Sequence, residues 1–526
     1  MRSMQILMPN SMNRFKKASL LGGFFVVVFF VLTACSERSS EEKMIFRYNE
    51  SAGIPSLDPA FAKEKSSIWA VQQLYEGLVF LDDNNEIAPG LALDWAVDST
   101  ATVYRFRLRE ARFHNGNLVT ANDVVYSLNR LKDPEVASPG SWVVDGVISC
   151  RALDSTSLEI VLQQPNSSFL SLLAMPFCSV APENETMLTT MPVGTGPFRF
   201  HVWHYGEKLI LHKNDAYWKV DSLGAPLPYL DGISISFLTD QQSAFLEYLR
   251  GNFDFLPNLD PSFKDDLLTK EGHLQERYTE AHTLARSPFL NTEYLVFNAE
   301  LSLPKDLRWA INASVNRAEM ITSLRNGVGV PATGGIIPMG LPGFQSTIGI
   351  GYAPDSAEKV ISSYSVLPEL TLTTVANYRD LCEFVQGALA KVGWEIAVNV
   401  VPSATLRSDK SSGTLDFFRA SWIADYPDAA NYLMLFSSEM KAPNGPNYSR
   451  YSSPTFDSLY KAIQQASIGP ERIALMSAAD SFLTKEAVSV PLYYDEVLRV
   501  FPRRTSGVRT NALNALNLLE AKVVKD

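Results

Sequence analysis

The sequence predicts a mixed α/β protein, because stretches with the two-residue period of a strand alternate along it with stretches that have the 3.6-residue period of a helix. Residues 102–109 alternate apolar and basic side chains strictly, which is typical of a half-buried strand. Residues 120–131 begin with a capping Thr and Asp and continue with one apolar stripe, which is typical of a helix packed on one side. No internal repeat is visible in the sequence.

The predicted elements of this region follow one another with short turns between them. The turn sequence 113–117 leads from the strand to the helix. At the start of the helix, Thr120 accepts a backbone N–H and Asp123 lies in the positive first turn. Residues 154–162 end in an alternating pattern and predict a further strand. The buried face of the first strand is predicted to consist of Tyr104, Phe106 and Leu108.

The N-terminal residues predict a secretory signal followed by a lipid attachment site. Basic residues within 14–17 precede the uncharged run 20–32, in the charged-then-apolar order of a signal peptide. This run is too short to span a membrane, which needs about 20 apolar residues. The small residues before Cys35 resemble the lipobox of bacterial lipoproteins, whose cysteine takes a diacylglycerol and becomes the mature N-terminus. We therefore expect residues 1–34 to be a signal peptide and residues 35–43 to be a lipidated, flexible tether.

Composition and charge limit the class of protein. The hydrophobic fraction of 46% and the charged fraction of 20% are those of an ordinary globular protein, and 526 residues allow several domains. The net charge of -11 argues against a phosphate-binding surface, so no nucleic-acid partner is expected. Besides Cys35, the sequence contains Cys150, Cys178 and Cys382. The sequence alone does not decide whether Cys150 and Cys178 form a disulfide.

Several short motifs occur in a fixed order along nearly the whole mature chain. They are Ser56–Pro59, Leu74–Val79, Pro89–Trp95, Tyr104–Leu108, Phe113–Gly116, Thr120–Val124, Val193–Phe198, Asn214–Trp218, Tyr229–Ile233 and Asp306–Arg317. Each is weak alone, but their order and spacing together resemble the family 5 extracellular solute-binding proteins. This family includes the oligopeptide- and dipeptide-binding components of ABC importers.

The resemblance implies a two-lobed fold like that of type II, cluster C periplasmic binding proteins, with an extra small β-rich domain and two strands that cross between the lobes. We expect the crossings near Asn291–Asn298 and Val490–Glu496, which are apolar and aromatic as buried strands are. The helices of the second lobe are expected to begin at Pro304 and after Asn377. The expected segments are 44–67, 191–292 and 491–526 for lobe I, 68–190 for the small domain and 293–490 for lobe II.

Residues 419–428 contain the richest set of functional groups, namely a guanidinium, an indole and two carboxylates. Burying such groups is costly unless something pairs with them. The resemblance implies that Asp425 binds the α-ammonium of a peptide and that Trp422 lines a side-chain pocket. A turn role for Asp425 and core packing for Trp422 are the structural alternatives. Asp428 is interpreted as the cap of a helix over residues 429–436.

The partner of a ligand carboxylate is less well defined. Arg419 matches a position that some binders of longer peptides use, and a surface or interlobe ion pair is its alternative role. Dipeptide binders of the family place an arginine before the helix at Tyr378, but residues 371–377 contain none. A longer or unusual ligand is therefore expected rather than a dipeptide.

One segment of lobe I is expected to contact the ligand backbone. Ala52, Gly53 and Ile54 match the family segment that pairs with a bound peptide as an added strand. Pro55 has no N–H to donate, so only part of such a ladder can form.

Other classes of function have less support in the sequence. Relatives with this fold carry nickel chelates, haem, opines or oligosaccharides, so another cargo is the main alternative. His201 and His204 lie three residues apart in a strand-like segment and would point to opposite faces, so no metal site is expected. A hydrolase would need a zinc-binding His-Glu-x-x-His or a Gly-x-Ser-x-Gly elbow, and neither occurs. A structural lipoprotein that carries no cargo is a further alternative.

The sequence thus predicts a lipid-anchored, monomeric solute-binding protein of the cell envelope, in the periplasm or on the outer face of the membrane. It would capture oligopeptides in the cleft between the lobes and deliver them to an ABC permease. We expect no catalytic activity and no cofactor.

Overall fold

The computed structural model describes residues 43–524 except residues 184, 186, 187, 258, 260 and 302. The predicted signal peptide and the lipidation site Cys35 lie outside these residues. The strands are β1 (Ile45–Asn49), β2 (Val79–Leu81), β3 (Ile87–Pro89), β4 (Ala92–Val97), β5 (Val103–Leu108), β6 (Val147–Ala152), β7 (Ser157–Leu162), β8 (Phe198–His204), β9 (Lys208–Lys213), β10 (Gly232–Ser236), β11 (His282–Phe297), β12 (Val330–Pro331), β13 (Thr371–Thr374), β14 (Ala397–Val400), β15 (Phe417–Ile423), β16 (Ser489–Pro502), β17 (Thr505–Ser506) and β18 (Lys522–Val523).

The helices lie between these strands, as the mixed α/β class requires. The α-helices are α1 (Lys65–Leu74), α2 (Ala121–Lys132), α3 (Phe169–Leu173), α4 (Gln241–Leu249), α5 (Pro261–Leu267), α6 (Glu276–Thr279), α7 (Lys305–Ser314), α8 (Arg317–Arg325), α9 (Pro354–Ser362), α10 (Arg379–Lys391), α11 (Ser403–Ser412), α12 (Ala430–Leu433), α13 (Pro454–Gln465) and α14 (Pro470–Lys485). Short 3-10 helices cover Pro59–Phe61, Ser141–Val144, Pro176–Cys178, Ala299–Leu301, Ala376–Tyr378, Met434–Phe436 and Ser438–Met440.

Lobe I is built on a four-stranded sheet in the order β1-β10-β9-β8, in which β1 runs parallel to β10 and the other neighbours are antiparallel. Phe46 and Tyr48 alternate along β1 and are buried against Trp69 of α1. A smaller apolar cluster packs α4 and α5 against the end of β16, where the stacked rings of Phe245 and Phe263 lie 4.5 Å apart. Both clusters consist of the alternate residues that a one-sided sheet and amphipathic helices bury.

The small β-rich domain contains an antiparallel sheet in the order β4-β5-β7-β6, with α2 packed against it. Strand β5 confirms the predicted alternation, because Tyr104, Phe106 and Leu108 are buried while the arginines between them are exposed. The start of α2 is also confirmed. The Thr120 N–H and hydroxyl donate to the Asp123 carboxylate over 2.8 and 2.7 Å.

The disulfide that the sequence left open is not formed. Cys150 and Cys178 are free thiols within the small domain, and Cys382 of lobe II is free as well. Burial raises the pKa of each of these thiols to about 12. The fold of the described residues is therefore held by packing and polar contacts.

Lobe II is built on a six-stranded sheet in the order β12-β16-β11-β15-β13-β14. Its central strand β11 is buried on both faces, with Tyr294 and Val296 in one core and Leu295 and Phe297 in the other. Helices α13 and α14 cover the first face, and α7 to α10 cover the second. The starts of α7 and α10 confirm the two expected helix positions after Pro304 and Asn377.

Strands β11 and β16 form the predicted pair of crossing strands, and both are longer than predicted. They pair antiparallel from His282 with Pro502 to Val296 with Ser489, and the ladder breaks between Pro288 and Thr292. On one side of the break β16 packs in the smaller cluster of lobe I, and on the other side both strands pack in the cores of lobe II. The break therefore marks the passage from one lobe to the other.

The packing of α1 bears on the expected boundary of the small domain, 68–190. Residue 68 falls inside α1, where Trp69, Ala70, Val71 and Leu74 are buried in the core of lobe I. The main part of the domain's own core begins at Leu78 and ends at Val180. We therefore propose that the small domain starts after α1 and ends near residue 180, because a helix belongs to the core that buries its apolar face. The remaining segment boundaries stay proposals.

Candidate functional site

The candidate site lies where β15 ends and the chain turns into the short helix α12. The side chain of Asn431, which is 1% exposed, binds both predicted ligand contacts at this point. Its Oδ1 accepts hydrogen bonds from Trp422 Nε1 over 2.7 Å and from the Asp425 N–H over 3.4 Å. The structure therefore brings Trp422 and Asp425 together through a third residue that the sequence analysis did not single out.

The carboxylate of Asp425 has no cationic partner among the described residues, and Asp425 is exposed. Desolvation by the surrounding protein raises the pKa of this carboxyl, and the amide of Asn431 lowers it to a smaller extent. A bound cation stabilises the ionised form of a carboxylate that is partly desolvated and has no ion-pair partner. This geometry suits the α-ammonium that the resemblance implies.

The Asp428 carboxylate is bound by other groups of the protein, in line with its interpretation as a helix cap. Its Oδ1 accepts the N–H of Ala430 over 2.8 Å, and its Oδ2 lies 2.9 Å from Arg472 Nη1. The same Oδ2 accepts the hydroxyl of Ser168 over 2.7 Å, which connects lobe II to the small domain. The following helix is shorter than expected, since the α-helix ends at Leu433 and continues as a 3-10 turn.

Arg419 forms an ion pair, the alternative role considered for it, and its expected role as a ligand contact stays a prediction. Its guanidinium donates through two nitrogens to the Glu293 carboxylate and lies 3.4 Å over the ring of Tyr378. Glu293 is 1% exposed and Arg419 is 9% exposed. Burial raises the pKa of Glu293 to about 7, and the guanidinium acts in the opposite direction. Both residues belong to adjacent strands of lobe II, so the pair is neither superficial nor interlobe.

Lys410 on α11 is a half-buried cation that the sequence analysis missed. Its Nζ lies 5.3 Å from the centroid of the Phe418 ring, and it forms no ion pair within the described part of the chain. Burial and the neighbouring Arg419 lower the pKa of Lys410 to about 8, while Glu293 acts in the opposite direction. No sequence motif marks this lysine, because α11 reads as an ordinary polar surface helix.

The segment Ala52–Ile54 forms a turn after β1 in lobe I. Gly53 has a φ of +70° and donates its N–H to the carbonyl of Glu50 over 3.0 Å. The Ile54 side chain is buried in the core of lobe I. In the described structure, the amides of Ala52 and Ile54 donate no hydrogen bond, and no polar or ring contact joins this segment to residues 419–425.

The described residues contain no group of three His, Cys, Asp or Glu side chains that could hold a metal ion. None of their helices is both long and apolar enough to cross a membrane.

The chain belongs to the bacterial extracellular solute-binding proteins of family 5, because the model of the family's middle region matches residues 86–444. The periplasmic oligopeptide-binding protein OppA of Escherichia coli K12 is 28% identical over 497 residues, which are 86% of this chain and 87% of OppA.

Solved structures share the two-lobed fold of type II periplasmic binding proteins. The murein tripeptide-binding protein MppA, in its unliganded open form, has a TM-score of 0.80 at 23% identity and covers 92% of this chain and 98% of its own. DppA from Helicobacter pylori, in complex with the peptide STSA, has a TM-score of 0.72 at 24% identity, with coverages of 92% and 99%.

Proposed function

We propose that this protein is the extracytoplasmic substrate-binding component of an ABC importer, which captures oligopeptides between its lobes and delivers them to the permease. The observation that supports this most is the unpaired Asp425 carboxylate beside the Trp422 indole, in a chain of the family 5 solute-binding proteins. A carboxylate next to an aromatic wall suits a cationic amino terminus followed by side chains of many kinds. The protein performs no chemistry in this account.

Ligand binding would act by a shift of population. Contacts that both lobes make to one peptide exist only when the cleft is closed, so the peptide favours closure by its differential affinity for that form. The separation of Ala52–Ile54 from residues 419–425 fits an open cleft. The higher TM-score to an unliganded open form than to a peptide complex supports the same interpretation.

The proposed roles of the site residues follow from their unpaired charges and unused hydrogen-bonding groups. Asp425 binds the peptide's ammonium, and Trp422 lines a side-chain pocket. The free amides of Ala52 and Ile54 donate to the peptide backbone. Because Arg419 is paired with Glu293, we assign the peptide carboxylate to Lys410, the neighbouring cation without an ion pair.

Calorimetry with one tetrapeptide and two blocked derivatives tests this function. We expect the free peptide to bind and its N-acetylated form to bind at least about a hundredfold more weakly, because acetylation removes the charge that pairs with Asp425. C-terminal amidation should weaken binding about tenfold, in line with one lost charge-assisted hydrogen bond.

Lys410→Met should abolish the difference between free and amidated peptide. Arg407→Met on the same helix is the matched control, since Arg407 is exposed, and it should leave that difference intact. Absence of binding by any free peptide of two to six residues would contradict the proposed function. An unchanged amide effect in Lys410→Met would contradict only the assignment of Lys410.

We also propose that Cys35 anchors the mature protein, which acts as a monomer, to a membrane of the cell envelope. Cys35→Ser should abolish acylation, because only the thiol can accept the diacylglycerol. Metabolic labelling with a palmitate analogue measures this directly. Equal labelling of wild type and Cys35→Ser would overturn the lipid-anchor assignment, while Cys382→Ser, which removes a buried thiol, should label like the wild type.

A further inference from the structure

The amide of Asn431 is oriented by the groups that surround it. The indole N–H of Trp422 and the backbone N–H of Asp425 both point to one atom of this amide. Only an oxygen can accept from two donors, so that atom is Oδ1 and the opposite side of the amide is the NH2 group. The orientation of Asn431 therefore follows from its neighbours.

The NH2 group of Asn431 is buried, and no group of the described residues meets the full geometry of a hydrogen bond to it. A buried donor without a partner costs about 1–3 kcal/mol, so its persistence calls for a reason. The Asn431 side chain lies close enough to the Asp425 carboxyl and to the Tyr426 hydroxyl to lower the pKa of each by hydrogen bonding, against the larger effect of burial. The donor is thus placed beside the carboxylate that awaits a ligand.

We propose that Asn431 is a positioning residue of the peptide site, which fixes Trp422 and Asp425 relative to each other and donates its Nδ2–H to the Asp425 carboxylate when a peptide ammonium is bound. This inference rests on the proposed function. Asn431 does not touch the peptide in this account. It acts by holding the indole through Oδ1 and by fixing the direction of the carboxylate through Nδ2.

A double-mutant cycle of Asn431→Leu and Asp425→Asn separates this role from a merely structural one. Asn431→Leu alone should lower the affinity for a free tetrapeptide about tenfold, in line with lost hydrogen bonds to a charged group. In the Asp425→Asn background, the same change should weaken binding no more than about twofold. If the amide only stabilises the fold, the two fold-losses will be equal, and this result would overturn the inference.

Two further variants control for folding. Asn214→Leu removes a similarly buried amide in lobe I, where Oδ1 accepts a backbone N–H and Nδ2 donates to a carbonyl, and it should leave peptide affinity within about twofold. If Asn431→Leu does not fold, Asn431→Ser takes its place in the cycle, because its hydroxyl can keep a hydrogen bond while the Nδ2 donor is lost. An additive cycle with Asn431→Ser overturns the inference in the same way.

The outcomes distinguish this inference from the proposed function. If Asp425→Asn alone leaves the affinity for free peptide unchanged, the proposed function fails and the inference fails with it. If Asp425→Asn weakens binding strongly and Asn431→Leu does not weaken it in a folded protein, only the positioning role of Asn431 is wrong.

Discussion

Asp425→Asn is expected to weaken the binding of peptides with a free amino terminus by about two to three decades in dissociation constant. The substitution leaves the ammonium in the closed cleft without its counter-charge, and a broken buried pair costs roughly 3–5 kcal/mol. The fold should survive, because the Asp425 side chain makes no ion pair within the described residues and its backbone N–H remains available to Asn431. Calorimetry on both proteins with one tetrapeptide measures the effect.

N-acetylated peptide is the internal control for this prediction. It lacks the charge that Asp425 would bind, so wild type and Asp425→Asn should bind it with nearly equal, weak affinity. Binding of the free peptide by the variant within about threefold of wild type would contradict the account, since one lost ion pair corresponds to far more. Asp425 would then be a turn residue.

Glu293→Ala is expected to destabilise the protein by about 3–5 kcal/mol, because it leaves the buried guanidinium of Arg419 without its partner. Urea unfolding followed by tryptophan fluorescence measures the loss. Since the chain contains two lobes, the unfolding of lobe II is the transition to examine. The adjacent strands β11 and β15 hold the pair, so the loss should fall within that transition.

A double variant provides the control for Glu293. Glu293→Leu combined with Arg419→Met removes both charges and keeps the volume, so it should recover most of the lost stability. The double variant should also keep peptide affinity, because Arg419 has no ligand role in this account. Stability of Glu293→Ala within about 1 kcal/mol of wild type would contradict a structural ion pair.

The elements of the fold that depend on local sequence were predicted from the residues, and the crossing strands were predicted from the family resemblance. The alternation in β5 and the capping residues of α2 are local signals, and both elements are present where they were expected. Local sequence could not decide the boundary at residue 68, because α1 is amphipathic whichever core it joins. Its apolar face is buried by residues far along the chain, among them Leu516 and Leu518.

The site shows the same division. Trp422 and Asp425 could be singled out because they lie in one short segment that resembles a known motif. The partner of Arg419 could not be identified, since Glu293 lies 126 residues earlier and meets it only when β11 and β15 pair. Lys410 and Asn431 carry no signal of their own in the sequence. We propose roles for them only because of the charged and polar groups that surround them in the fold.

The central claim is that the cleft closes around a peptide, and small-angle X-ray scattering of residues 44–526 tests it most directly. Addition of a saturating peptide mixture should reduce the radius of gyration, because contacts with both lobes favour the closed form. The N-acetylated mixture at the same concentration is the control and should leave the scattering curve unchanged. Peptide binding that calorimetry confirms, together with an unchanged radius of gyration, would contradict the account.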